Sequence, residues 1–144
     1  MPDLTGLTKD AGWQAGASRT LPLTLDALWD LIMSPEGLAL WLGPLAELPG
    51  ERGMTYRTAD GVTGEVRSVH RRDRLRLTWR PSGRPEDAVL QLTVRPASKG
   101  TTLQLHAERL FDADERAAVI ALFHGVLNAV AAAAVCDRPA TEPS

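Results

Sequence analysis

The chain has 144 residues, of which 44% are hydrophobic and 24% are charged. This length fits one domain, which buries roughly 68–70% of the surface that its unfolded form exposes and can enclose a cavity without disulfides or metals. The formal net charge of −2 argues against a general polyanion binder. The single cysteine, Cys136, cannot form an internal disulfide, and residues 1–13 lack the pattern of a secretory signal, so we expect a cytoplasmic protein.

The domain is predicted to span residues 14–135, between polar tails at 1–13 and 136–144. Its first element is a strand at residues 14–23. Thr24 then caps a short amphipathic helix, because apolar residues follow it at helical spacing: Leu25, Leu28, Trp29, Leu31 and Ile32. Ser34 and Pro35 start a second short helix over residues 36–41, which ends at the turn formers Gly43 and Pro44.

After Gly53 the apolar period changes from helical to two, which indicates a sheet. Strands are predicted at residues 54–58, 62–69, 74–80, 88–95 and 101–108, and the Asp60-Gly61 pair joins the first two as a hairpin. In the strand at 74–80, Leu75, Leu77 and Trp79 share one face while the other face is basic and polar. The successive strands therefore fit an antiparallel meander with one buried side and one solvated side.

The last predicted element is a long helix that begins with a variant capping box, Asp112 and Glu115. Its apolar residues form one wide stripe: Val119, Ile120, Phe123, Val126, Leu127 and Val130. Residues 117–136 carry no formal charge and are about long enough to cross a bilayer. Much of this stretch is alanine, His124 and Asn128 lie within it, and no basic run flanks it. We therefore predict a helix that packs on the inward face of the sheet, and no membrane span.

The order of these elements resembles the START-like, or SRPBCC, superfamily, in its AHSA-type branch, which is named after an activator of a heat-shock chaperone ATPase. The strings that carry the resemblance are SPEG at 34–37, WLGP at 41–44, DG at 60–61, GEV at 64–66, LRLTW at 75–79 and GTTLQL at 100–105. The second tryptophan that relatives often carry before Gly-Pro is Leu42 here. The resemblance implies an α+β helix-grip (Bet v-type) fold, in which a curved antiparallel sheet wraps a long C-terminal helix. In relatives, the cavity between them holds lipids, sterols, polyketides or hormones, and a few branches use it for cyclase chemistry.

Motifs for metal, nucleotide or nucleophile chemistry are absent from the sequence. The three histidines, His70, His106 and His124, are not spaced as metal ligands, and neither HEXXH, CXXC, GXSXG nor GXGXXG occurs. We therefore expect no catalytic residue, no metal site and no cofactor. Strand alternation puts His106 on the solvated face, whereas His124 either lies on the helix surface or borders the cavity as a polar group.

The densest charged feature is a set of seven arginines: Arg67, Arg71, Arg72, Arg74, Arg76, Arg80 and Arg84. Glu65, Asp73, Glu86 and Asp87 are available to pair with them. We interpret the set as the solvated face of two strands and their connection, since no surface aromatic residues are interleaved as nucleic-acid binding would require.

The aromatic residues carry the prediction of a binding site. Six of them are assigned by periodicity or position to the core or the cavity rim: Trp29, Trp41, Tyr56, Trp79, Phe111 and Phe123. Trp41 and Tyr56 are each expected to present an apolar ring and a polar tip at a pocket mouth. The predicted ligand contacts are Trp41, Tyr56, Trp79, Phe123 and Leu127, with His124 as the polar group.

Three functions fit this pattern. The first is binding of a small, mainly apolar molecule between the sheet and the C-terminal helix. The second is an interaction module, either a homodimer or a co-chaperone-like partner, that uses the arginine face or the alanine-rich helix side. The third is an enzyme of cyclase or dehydratase type, which requires an inward-facing polar pair, for which only His124 and Tyr56 are candidates.

Overall fold

The structure is a computed structural model that describes residues 7–8 and 12–137, with side chains from 13 to 134. Its strands are β1 (Leu7–Thr8), β2 (Gly12–Leu21), β3 (Thr55–Arg57), β4 (Thr63–His70), β5 (Arg74–Trp79), β6 (Ala88–Ala97) and β7 (Gly100–Leu110). Its helices are α1 (Leu25–Met33), α2 (Pro35–Trp41) and α3 (Ala113–Asp137). The strands form one antiparallel sheet in the order β1-β2-β7-β6-β5-β4-β3. The predicted α+β helix-grip fold is confirmed.

The element boundaries differ from the predicted ones mainly at the two ends of the domain. Leu7 and Thr8 lie in the predicted N-terminal tail, but they pair with Trp13 and Gly12 as a short edge strand. Such pairing satisfies backbone amides whatever the side chains are, so apolar periodicity does not signal it. The long helix continues through Cys136 to Asp137, past the predicted boundary at residue 135. Residues 1–6, 9–11 and 138–144 of the predicted tails lie outside the described residues.

The core lies between the inward face of the sheet and α3. One row of paired strand residues consists of Leu75, Leu92 and Leu105, and each of them is buried. From α3, the buried residues are Val119, Phe123, Val126, Leu127, Val130 and Ala134. Burying a leucine or phenylalanine contributes about 1.5–3 kcal/mol, so these buried side chains supply most of the free energy that holds α3 on the sheet.

Helix α3 is long and apolar enough to cross a membrane, by length and composition alone, over Ala113–Ala134. Two side-chain bonds tie it to β2: Arg116 Nε donates to the Gln14 carbonyl at 2.7 Å, and Arg19 Nη1 donates to Asn128 Oδ1 at 2.7 Å. These bonds and its buried face favour the prediction of a core helix. Five residues of the predicted apolar stripe are buried and the sixth, Ile120, is half-buried, so the stripe is confirmed.

A tight corner between α1 and α2 positions the second helix. Ser34 Oγ accepts from the Gly37 N–H at 3.0 Å and donates to the Leu31 carbonyl at 2.6 Å, so this one side chain closes α1 and caps α2. A Cβ at Gly37 would lie 1.8 Å from the Leu31 oxygen. Only glycine permits the two helices to meet this closely. The predicted Ser34-Pro35 helix start is confirmed.

Candidate functional site

A cleft of about 430 Å³ opens at one end of the domain, and we call it the α2–α3 cleft. Its walls are the end of α2 and the loop after it, the β3–β4 turn, the end of β5 and the first half of α3. The lining residues are Ala39, Leu40, Trp41, Leu42, Gly43, Asp60, Val62, Trp79, Pro81, Glu115, Ala118, Val119, Leu122 and Val126. Nearly all of them are apolar, and the volume lies within the range of about 300–1,000 Å³ that small-molecule sites occupy.

Trp41 forms one wall of the α2–α3 cleft with its indole ring. Its Nε1–H donates to the Ile32 carbonyl of α1 at 2.7 Å, and the residue is buried. The predicted polar tip is therefore wrong for Trp41, because α1 already holds that group. Gly43 follows with φ +146°, and a Cβ there would lie 2.9 Å from Asp60 Oδ1. Glycine at this position lets the chain turn directly behind the indole and approach the β3–β4 turn.

The β3–β4 turn supplies the polar side of the α2–α3 cleft. Thr58 is buried, and its Oγ1 accepts from the Val62 N–H at 2.9 Å and donates to Asp60 Oδ1. The Ala59 N–H donates to the Pro44 carbonyl at 2.9 Å, which joins this turn to the end of α2. Asp60 is exposed. Its carboxylate is thus held at the rim, in contact with the turn and with solvent.

The start of α3 closes the other side of the α2–α3 cleft through a buried ion pair. Arg84 donates from Nε and Nη2 to the two Glu115 oxygens at 2.9 and 3.1 Å, and its side chain is only 6% exposed. It also donates to the Arg109 carbonyl at 2.9 Å and to the Glu86 carbonyl. The Arg84 guanidinium stacks 4.1 Å from the centre of the Phe111 ring. This one arginine joins the β5–β6 connection, the end of β7 and the start of α3.

Two predictions made for these residues are wrong. Arg84 was expected on the solvated sheet face, but it is buried because Glu115 and two carbonyls satisfy its charge and its donors. Phe111 was expected in the core or at the cavity rim, but it is 47% exposed and covers the guanidinium from outside. The Asp112 half of the capping box is confirmed, since Asp112 Oδ1 accepts from the Glu115 N–H at 2.8 Å, whereas Glu115 Oε1 accepts from the Phe111 N–H at 2.7 Å.

The Arg84–Glu115 pair makes stability depend on pH. Hydrogen bonding to Arg84 lowers the pKa of Glu115 below its ordinary value of 4.5, against the opposing effect of burial. A carboxyl with a lowered folded-state pKa stabilises the fold above its unfolded-state pKa and loses that contribution as pH falls through the folded-state pKa. We expect the difference in unfolding free energy between the wild type and Glu115→Gln to be constant near neutral pH and to shrink below 4.5. Urea titrations across that range measure it, and a difference that stays constant into acid would contradict this origin.

Of the six residues predicted to contact a ligand, Trp41 and Trp79 line the α2–α3 cleft. Phe123 and Leu127 are buried in the core and do not line this cleft. His124 follows Phe123 on the helix and is exposed, so the prediction that it borders the cavity is wrong. His124 shares a helix face with Ala121 and Asn128, which lie three and four residues away and are also exposed.

Tyr56 has a structural role in place of the predicted one. It is 5% exposed on β3, and its hydroxyl donates to the Thr78 carbonyl of β5 at 2.7 Å. Burial, with a smaller contribution from Asp87, raises the pKa of Tyr56 well above its ordinary value. Gly64 of β4 lies opposite Tyr56, and a Cβ there would come within 2.5 Å of the tyrosine oxygen. The missing side chain of Gly64 is what gives the phenol room to reach β5.

The pair required for the cyclase or dehydratase hypothesis is not assembled. Tyr56 is buried with its hydroxyl bonded, whereas His124 faces solvent on α3. Within residues 7–8 and 12–137, no three His, Cys, Asp or Glu side chains are grouped so that they could hold a metal ion. The polar groups of the α2–α3 cleft are two carboxylates, Asp60 at the rim and Glu115 in its ion pair.

Sequence reasoning missed most of the cleft lining, including Asp60, Val62, Pro81, Glu115, Ala118 and Leu122. Asp60 and Glu115 were recognised only as a turn former and a helix cap. The cleft forms where α2 meets the first half of α3, and no local pattern reports how two helices separated by five strands approach each other.

The arginine face is largely paired. Arg76 Nη2 lies 2.8 Å from Glu108 Oε1, Arg80 lies 3.4 Å from Asp87, and Arg67 lies 3.7 Å from Glu65. Asp73, an expected partner, instead pairs with Arg95 of β6. His106 is partly exposed on the outward face of the sheet, and its Nε2 lies 3.5 Å from Glu108 Oε2.

Comparison with known proteins gives a family and several structural relatives. The family described as Activator of Hsp90 ATPase homolog 1-like protein matches residues 22–133. DynU16, a protein of the dynemicin biosynthetic locus, superposes with a TM-score of 0.71 at 23% identity over 83% of this chain and 46% of its own. This chain therefore spans about half the length of DynU16.

Two further structures are covered almost completely. A protein from Chromobacterium violaceum has a TM-score of 0.70 at 22% identity, over 84% of this chain and 96% of its own. The AHSA1 protein from Silicibacter pomeroyi has a TM-score of 0.69 at 18% identity, over 87% and 99%. At these identities the likeness concerns the fold alone. No functionally curated protein matches the sequence significantly.

Proposed function

Because the chain belongs to the family of Activator of Hsp90 ATPase homolog 1-like proteins and has a helix-grip fold, we propose that it binds a small, mainly apolar molecule in the α2–α3 cleft. The observation that carries the proposal is the cleft itself, about 430 Å³ in volume and walled by the indole rings of Trp41 and Trp79. Aromatic rings supply large apolar contact areas at a low cost in conformational entropy. Hydrophobic burial would then provide the affinity.

The polar groups of the α2–α3 cleft support a ligand with one polar end. Glu115 is neutralised by Arg84, so its charge is not available to a ligand. Asp60 is bonded through Oδ1 to Thr58 and lies at the exposed rim. The ligand would place its apolar body between the indoles and α3, and a hydrogen-bond donor at Asp60. DynU16 belongs to a biosynthetic locus, which is consistent with a small biosynthetic product as the ligand class.

A matched pair of alanines on α3 tests the proposal. Ala118 and Ala121 are both exposed, but only Ala118 is among the residues that line the α2–α3 cleft. Ala118→Trp should fill the cleft with an indole and abolish binding of the neutral apolar dye Nile red, measured by its fluorescence. Ala121→Trp adds the same ring to the same helix and should bind the dye as the wild type does. Equal binding by the two variants would exclude the cleft as the site.

The alternative of an interaction module stays a prediction. The feature that favours it is Leu122 of α3, which is 47% exposed although it belongs to the lining of the α2–α3 cleft. Mass in solution separates the two functions, because a ligand-binding domain needs no second copy. A dimer that dissociates on Leu122→Lys would favour the interaction module, and a monomer would exclude the homodimer.

We also place the proposed function in the cytoplasm. The basis is the sequence expectation that a chain with one cysteine is not built for an oxidising compartment.

A further inference from the structure

A second depression, of about 270 Å³, lies on the outward face of the sheet, away from the α2–α3 cleft. We call it the arginine depression, because Arg67, Arg76 and Arg109 line it. Thr78, Asp87 and Val89 also contribute to its lining. Val89 is on the outward row of β6, opposite Glu108, yet it is only 9% exposed.

Two irregularities in the strands bring arginines to this depression. The pairing of β4 with β5 shifts between Val66 and Ser68, so that Arg67 is the extra residue of a β-bulge. The pairing of β2 with β7 shifts likewise, since Trp13 faces Leu110 while Ala15 faces Ala107. Bulges change the direction in which a side chain points, and they are over-represented next to functional sites.

The second bulge contains a strained residue. Arg109 has φ +65°, a left-handed conformation that costs a non-glycine residue of order 1 kcal/mol or more. Glycine would relieve this strain, yet arginine occupies the position and belongs to the lining of the depression. Arg109 thus combines a strained backbone with a place in the lining of the depression.

Several hydrogen-bond donors in the arginine depression have no protein acceptor among the residues that the structure describes. The Arg109 side chain has no bonded partner among the described residues. Thr78 Oγ1 accepts from the Glu65 N–H at 2.7 Å, and within the described part of the chain no acceptor takes its own hydrogen. Arg76 is held by Gln91 Oε1 at 3.1 Å and by Glu108 Oε1 at 2.8 Å, and its Nε–H has no acceptor in the part of the chain that the structure describes.

The carboxylates around the arginine depression are each matched by an arginine. Asp87 lies 3.4 Å from Arg80, Glu108 lies 2.8 Å from Arg76, and Glu65 lies 3.7 Å from Arg67. The charge of Arg109 is therefore the one in this group that no carboxylate balances, among the residues the structure describes. The depression combines a net positive charge with unused N–H and O–H donors.

We propose that the arginine depression binds the phosphate group of a small soluble molecule. Guanidinium groups present N–H donors in a planar fork that matches phosphate oxygens, and phosphate carries a charge of about −1.5 to −2 at neutral pH. The volume of 270 Å³ admits a phosphate group with little attached to it.

Amide chemical-shift titration with inorganic phosphate tests this site on the full chain, at constant ionic strength maintained with chloride. We expect saturable shifts centred on residues 67, 76, 78 and 109. Arg109→Gly removes the unbalanced guanidinium while relieving the left-handed strain, so it should fold at least as well as the wild type. It should bind phosphate about tenfold more weakly or worse, as expected for losing a charged hydrogen bond.

The control variant is Arg57→Gln, which removes an exposed arginine of β3 that does not line the depression. It changes the net charge equally and should leave phosphate affinity unchanged. Equal weakening in both variants, equal affinity of Arg109→Gly and the wild type, or no saturable shift in the wild type would overturn the proposal. Vesicles of phosphatidylcholine with phosphatidic acid form the last arm, and binding to them without binding of free phosphate would also overturn it.

Discussion

Replacing Arg84 with alanine should lower the free energy of unfolding by about 3 kcal/mol, the lower end of the range for breaking a buried ion pair. Arg84 donates to both oxygens of Glu115 and to two backbone carbonyls, and its side chain is 6% exposed. The variant would leave Glu115 without its cation and two carbonyls without a donor. The cost stays at the lower end because the Glu115 side chain keeps 25% exposure to water. Urea unfolding followed by circular dichroism measures it.

Arg80→Ala is the matched control for this prediction. Arg80 pairs with Asp87 at 3.4 Å, but its side chain is 44% exposed. Exposed pairs contribute only about 0–1 kcal/mol, so the control should change stability little. If Arg80→Ala and Arg84→Ala lowered the free energy of unfolding equally, the pair of Arg84 with Glu115 would not be what holds the start of α3.

The second large effect is expected for Gly64→Ala, which should destabilise the fold by about 3–4 kcal/mol. A Cβ at Gly64 would lie 2.0 Å from the Thr78 carbonyl oxygen and 2.7 Å from the Tyr56 ring. The backbone of β5 cannot give way as a flexible side chain would. The phenol would therefore be displaced, and its hydrogen bond to Thr78 would be lost.

Gly125→Ala makes the same chemical change at a position where no atom of the described residues lies within 4 Å of the added Cβ. Because Gly125 is in the interior of α3, this variant should stabilise the fold by about 0.5–1 kcal/mol. Gly64→Ala should therefore lower the unfolding midpoint, whereas Gly125→Ala should raise it. A Gly64→Ala protein as stable as the wild type would show that Tyr56 does not need the space at Gly64.

The elements that could be predicted from the sequence are those with local causes. Ser34, Asp112 and the Asp60-Gly61 pair mark caps and a turn, and the structure has each of them where the sequence placed it. Alternation along β5 correctly predicted the buried face of Leu75, Leu77 and Trp79. These signals depend on neighbours within a few residues.

The features that could not be predicted depend on contacts between distant parts of the chain. Arg84 is buried because Glu115, 31 residues away, reaches it. The polar tips of Trp41 and Tyr56 are satisfied by carbonyls of other elements, at Ile32 and Thr78. An aromatic residue at a predicted pocket mouth looks the same in sequence whether its polar atom faces a ligand or another strand.

The most direct test of ligand binding in the α2–α3 cleft is native mass spectrometry of the protein purified from its own host. We expect the wild type and Ala121→Trp to carry a bound small molecule at one per chain, and Ala118→Trp to have lost it. A wild-type chain without bound mass, or the same bound mass in Ala118→Trp, would contradict the assignment of the cleft as a ligand-binding site.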